Sequence, residues 1–168
     1  MKTNKRILAI DPGTHYMGVA VLDGTKLTYY GVKTLPRRNS PREMLKEGRN
    51  VVRSLINDFK PRVFVVEKTY FANSRNGTLL NVFANEIAKI SRQKKVRVKV
   101  MAANTVRKIV CNDGEATKQD VAKVITNLHP ELSPFLSSDR RWKERFYYNM
   151  FDAVALGTAA LIKTNKVH

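Results

Sequence analysis

Arg6-Ile7-Leu8-Ala9-Ile10-Asp11-Pro12-Gly13 is a short apolar run that ends on a carboxylate and then on a Pro-Gly turn. Such a run predicts a central strand, buried on both faces, that delivers Asp11 to its carboxyl end. Downstream, His15 to Asp23 and Lys26 to Lys33 are joined across Asp23-Gly24, a hairpin signal, so the chain opens with three antiparallel strands. Ser40-Pro41-Arg42-Glu43 then combines a capping serine, proline at the first helical position and a glutamate that closes the box. Leu45, Gly48, Val51, Val52, Leu55, Ile56 and Phe59 follow at spacings of three and four, which predicts a helix packed on the sheet and stopped by Pro61.

Val63-Phe64-Val65-Val66-Glu67 is a second run of the buried-strand type, and its first charge is again an acid. Asn73 to Gly77 reads as an exposed loop, and Leu79, Leu80, Phe83, Ile87 and Ile90 mark a second amphipathic helix. Lys89 to Lys99 carries six basic residues in eleven, and Val96, Val98 and Val100 alternate with Arg97 and Lys99. That alternation predicts a strand with one wet, basic face. Thr105 to Val110 reads as a helical turn, Thr117-Lys118-Gln119-Asp120 as a capping box opening a helix through Leu128, and Ser133 to Arg141 as a polar loop. A last helix spans roughly Lys143 to Lys163 and is apolar nearly all round apart from Asn149, Asp152 and Thr158. The order predicts an α/β fold: a mixed sheet of about five strands, the first three antiparallel, with helices on both faces.

The 168 residues fit a single domain, 1–168, and 43% hydrophobic content suffices for a full core. Thirty-one Lys+Arg against 14 Asp+Glu give a net charge of +17, which favours a polyanionic partner, nucleic acid first among them. The basic residues are not gathered on one amphipathic helix, and no stretch reaches the roughly 20 apolar residues of a membrane span, so a membrane partner is not expected. The apolar run behind the basic start is too short for a secretory signal. A lone cysteine, Cys111, excludes an internal disulfide, and three scattered histidines give no zinc spacing. Together these point to a reducing, intracellular context and not to a secreted protein.

Most acids sit in solvated contexts, such as Glu43, Glu47, Asp58 and Glu86; Asp11, Glu67 and Asp152 are flanked by apolar residues instead. An unpaired buried carboxylate costs several kcal/mol as an order of magnitude, so something must compensate each one. Taken singly, each has a bland reading: a turn residue, an ion-pair partner, a backbone acceptor. If the three converge at the carboxyl ends of parallel strands, a hard divalent cation such as Mg²⁺ or Mn²⁺ fits, since oxygen ligands suffice. An acidic pocket in a basic surface then suits phosphodiester hydrolysis by two metals about 3.5 to 4 Å apart.

At these residues the chain resembles the RuvC-type Holliday junction resolvases (crossover junction endodeoxyribonucleases) of the RNase H-like superfamily. The resemblance rests on Ile7 to Thr14 with Gly18 behind it, on Val65-Val66-Glu67 before an aromatic loop, and on Asp152-Ala153-Val154-Ala155-Leu156-Gly157. It implies a homodimer that nicks two opposed strands of a four-way DNA junction symmetrically, leaving 5′-phosphate and 3′-hydroxyl ends. It also implies two Mg²⁺ per site, with Mn²⁺ able to substitute, and a branch-migration motor as a candidate partner. Asp11, Glu67 and Asp152 would be its metal ligands, and Asn149 stands where the family usually has an acid or a histidine. Asn149 shares a helix face with Asp152 and offers a neutral oxygen. His129, Asp139 and Glu144 are other candidates for a missing ligand.

Lys118, in the first turn of a helix, is a solvated lysine or, as the resemblance implies, a catalytic cation at the phosphate. Arg107 and Lys108 would join it in contacting DNA. Of Tyr70 and Phe71 one reads as core; the resemblance selects Tyr70 as a base-stacking aromatic, with Arg75 beside it in the loop. Trp142 reads equally as a packing anchor and a DNA contact. Arg92 to Lys99 reads as a solvated face or a DNA-backbone contact. Glu86 and the apolar face of the second helix are, by resemblance, dimer residues. Two other functions are open: the same fold acting on another branched or RNA-containing substrate, and a junction-binding module whose catalysis Asn149 has impaired.

Overall fold

The computed structural model describes residues 5–35, 40–69, 75–136 and 141–166, and the side chains of 75–77 and 141–145 are not among those described. Strands β1 (Arg6–Asp11), β2 (Tyr16–Asp23), β3 (Lys26–Thr34), β4 (Val63–Lys68) and β5 (Arg97–Ala102) form a sheet of order β3-β2-β1-β4-β5. The β1–β2 and β2–β3 pairs are antiparallel, and β1–β4 and β4–β5 are parallel. Helices α1 (Pro41–Phe59) and α2 (Arg75–Gln93) cover one face, and α3 (Ala103–Cys111), α4 (Lys118–Leu128), the short α5 (Ser133–Leu136) and α6 (Arg141–Asn165) the other.

The continuous apolar run of β1 follows from this sandwich. Leu8 and Ile10 pack with Val52, Leu55 and Ile56 of α1 and with Phe83 and Ile87 of α2, whereas Ile7 and Ala9 pack with Val154 and Leu156 of α6. The period of two therefore places Asp11 on the α6 face, with Ile7 and Ala9. Glu67 falls on the same face, with Val65.

Both capping boxes form as read. Ser40 Oγ accepts from Glu43 N–H at 3.3 Å and Glu43 Oε2 from Ser40 N–H at 3.1 Å. Thr117 Oγ1 accepts from Asp120 N–H at 3.1 Å and Asp120 Oδ2 from Thr117 N–H at 2.9 Å.

Five local expectations change. Arg75 to Gly77, read as loop from their polarity, form the first turn of α2; a first turn tolerates such residues because its N–H groups have no intrahelical partner. The segment read as a helical turn is the nine-residue α3, and the loop read from Ser133 onward begins as α5, directly after a 3₁₀ turn at Pro130–Leu132. On the edge strand β5, Val100 is 52% exposed while Lys99 is half-buried against α6, so the basic side is not simply the wet one. Glu86 is ion-paired rather than solvated: Arg49 Nη1 of α1 donates to it at 2.5 Å.

Candidate active site

β1 and β4 run parallel with Ile10 opposite Val66, so Asp11 and Glu67 leave the sheet on the next rung, in strands about 4.8 Å apart. α6 lies across β1 and β2 and brings Asn149 and Asp152, one turn apart, to that end of the sheet. This approach depends on glycine: a Cβ at Gly18 would lie 1.8 Å from the Asn149 carbonyl oxygen. Gly157 plays the same part further along α6, where a Cβ would lie 2.4 Å from Leu22 Cδ1. α4 contributes Lys118 from its first turn and α3 contributes Arg107.

Asp11, Glu67, Lys118, Arg107, Asn149 and Asp152 thereby line one cavity of about 280 Å³. Its walls are Pro12, Thr69, Leu80, Ala103, Val106, Val121 and Ala155. Lys108 is exposed on α3 outside this lining, Arg75 opens α2, and Tyr70 lies outside the described residues. Of the substitute ligands, His129 is buried at the far end of α4, about 16 Å along the helix from Lys118. Asp139 lies outside the described residues, as do the side chains of Glu144 and Trp142.

Thr69 is a site residue that the reading missed. It follows Glu67 by two positions, the strand spacing that could have flagged it, and its hydroxyl bonds the Asn81 side-chain oxygen of α2. On α2, Phe83, Ile87 and Ile90 are buried in the chain's own core, while Val82 is exposed.

The electrostatics are those of crowded acids. Burial, then the Asp152 and Glu67 charges, hold the Asp11 carboxyl well above the usual carboxylate range, with Lys118 partly offsetting them. Burial, then Asp152, push Glu67 up to about 7 against the pull of Lys118 and Arg107. Lys118 Nζ donates to Asp152 Oδ2 at 2.7 Å, with 18% of the Asp152 side chain exposed. Burial alone would lower the Lys118 ammonium, but Asp152, Asp11 and Glu67 outweigh it and raise its pKa.

Among the described residues no three Asp, Glu, His or Cys side chains stand close enough to grip a metal between them, and the Lys118 ammonium supplies the neutralising charge. The donor set is nonetheless that of a hard cation: three carboxylates and the Asn149 amide oxygen, whose Nδ2 is turned back to the Phe146 carbonyl at 3.3 Å.

A mixed five-stranded sheet with this order, and acids from β1, β4 and the last helix at one end, define an RNase H-like α/β domain with a polyacidic pocket. Residues 7–139 match the family model for crossover junction endodeoxyribonuclease RuvC. The chain belongs to that family. The RuvC of Beijerinckia indica is 30% identical over 136 residues, 78% of this chain and 78% of that protein. RuvC of Thermus thermophilus, solved in complex with a Holliday junction substrate, matches the fold with a TM-score of 0.74 at 18% identity, over 96% of each chain. The yeast mitochondrial Holliday junction resolvase Ydc2 matches with a TM-score of 0.71 at 15% identity, over 98% of this chain and 82% of that one. The family match ends before α6, so the placement of Asn149 and Asp152 rests on the fold.

Proposed function

We propose that this chain, read as one nuclease domain, resolves four-way DNA junctions as a homodimer through paired symmetric nicks with 5′-phosphate and 3′-hydroxyl ends. The observation that carries this is the convergence of Asp11, Glu67, Asp152 and Asn149 with Lys118 and Arg107 in one cavity. Asp11, Glu67 and Asp152, with the Asn149 oxygen, would hold Mg²⁺ or Mn²⁺. When bound, such ions supply an activated water and stabilise the leaving oxygen. Two ions per site fit the donor set, the second held more weakly because Asn149 is neutral.

The chain's own groups do the rest. The like-charge strain among Asp11, Glu67 and Asp152 is relieved when positive charge enters. Lys118 and Arg107 stand at the same cavity, where they attract the scissile phosphate and offset the charge that develops on it. Lys108 and Arg75 extend the DNA contact, and Tyr70 stacks on an unpaired base at the crossover. The setting is the cytoplasm or the nucleoid, bacterial or phage, with a branch-migration motor as partner. Among the described residues no helix is long and apolar enough to cross a membrane.

A 5′-labelled synthetic four-way junction, incubated with and without Mg²⁺ or Mn²⁺ beside a matched linear duplex, tests the reading. Symmetric nicks on the junction alone that vanish in Asp11→Asn support it. Binding that is tight but never followed by a nick would replace it with a junction-binding module, the one alternative that the neutral Asn149 favours.

A further inference from the structure

The basic run from Lys89 to Lys99 has a side that the site above does not use. Arg97 and Lys99 are two apart on the edge strand β5 and so share one side of it. That side meets the end of α6, where Lys99 Nζ donates to Thr164 Oγ1 at 2.7 Å and Lys163 stands next to Thr164. Arg97 and Lys163 are exposed, and among the described residues none of the three cations is ion-paired with a carboxylate. The Lys99 ammonium is lowered by burial first and then by the positive charges of Arg97 and Lys163. Three cations held together against their mutual repulsion form a locally unfavourable arrangement that an anionic partner would turn favourable.

Two rulers give its position relative to the carboxylates. Glu67 is in register with Met101, so Arg97 lies four residues, about 13 Å, back along β5. Lys163 follows Asp152 by eleven residues, about 16 Å along α6. Both rulers run the same way from the cavity, and at 3.4 Å per base pair they span about four to five base pairs.

We propose that Arg97, Lys99 and Lys163 form a phosphate-binding track for one duplex arm of the junction, gripping its backbone about four to five base pairs from the nick. The inference rests on the junction reading above and adds to it where one arm lies. The spacing and the lack of base-reading geometry on a strand edge fit the sugar-phosphate backbone, so the track would position the arm without reading its sequence.

The test is binding of a fluorescent four-way junction in EDTA across a salt series, comparing the wild-type chain with Arg97→Gln/Lys163→Gln, two exposed changes that leave the core intact. The slope of log K against log[salt] should fall by about 0.9 for each lost contact, so by about 2 in all. Neutral methylphosphonates placed about four to five nucleotides from the nick should weaken wild-type binding more than that of the double variant, which keeps only Lys99 of the three. Nicking at saturating protein should be the same for both, because neither residue lines the cavity. Equal salt slopes and equal methylphosphonate sensitivity in the two proteins would overturn the track and leave the cations to an acidic protein partner. No junction binding by the wild-type chain would overturn the junction reading itself.

Discussion

Neutralising one active-site acid should stabilise the metal-free protein while destroying its activity. Glu67 has its carboxyl raised from 4.5 to about 7 by burial and by Asp152, so between those values the folded chain holds a proton that the unfolded chain has released. The sign follows: this contribution is fully present below about pH 4.5 and is lost as pH rises through about 7. Taken alone it is worth about 3 kcal/mol, and Asp11, raised by burial and by the same neighbours, adds in the same direction. Glu67→Gln removes the charge and keeps the shape. Urea melts in EDTA at pH 5 and pH 8 should therefore show Glu67→Gln gaining a few kcal/mol over wild type at pH 8 and much less at pH 5. His129, whose imidazole burial holds below its ordinary value, works in the opposite sense, but it is common to both proteins and cancels in the difference. Mg²⁺ should then raise the wild-type midpoint more than that of the variant, since only the intact acid set binds it well. Wild-type and variant curves that stay parallel from pH 5 to pH 8 would refute the reasoning, for they would mean that Glu67 is neither desolvated nor crowded.

Three further outcomes follow from the geometry. Gly18→Ala drives a methyl into the Asn149 carbonyl and pushes α6 away from β2, so a loss of about 1 to 3 kcal/mol in a urea melt should accompany a fall in nicking larger than unfolding explains. Asn149→Asp adds a fourth acid to the cavity, which should lower the Mg²⁺ concentration for half-maximal nicking and reduce stability in EDTA at pH 8. Lys118→Met leaves Asp152 without its 2.7 Å partner, and since the lysine is half exposed the expected loss is about 1 to 2 kcal/mol in EDTA, together with a fall in the nicking rate at saturating Mg²⁺.

Much of the sheet was legible because its signals are local. The runs before Asp11 and Glu67 name buried strands, their period of two puts both acids on one face, and the boxes at Ser40 and Thr117 mark helix starts to the residue. What brings Asp152 and Asn149 to those acids is not local: it is the missing Cβ of Gly18 and Gly157, and nothing along the chain says which helix will press on them. The same holds for Glu86, solvated by its neighbours in sequence and paired with Arg49 across 37 positions, and for Lys99, whose partner Thr164 is 65 positions away. Thr69 was hidden by type, since a threonine in a β-rich segment reads as strand filler until its neighbours define a cavity.

The central claim is that Asp11, Glu67 and Asp152 act as one cation-binding set, and counting bound Mn²⁺ by electron paramagnetic resonance tests it most directly. Wild-type protein should take up Mn²⁺ at the cavity, and Asp11→Asn, Glu67→Gln and Asp152→Asn should each weaken that uptake by at least about tenfold, the size of effect seen even for outer-shell ligand changes. Equal Mn²⁺ uptake by wild type and all three variants would contradict the account.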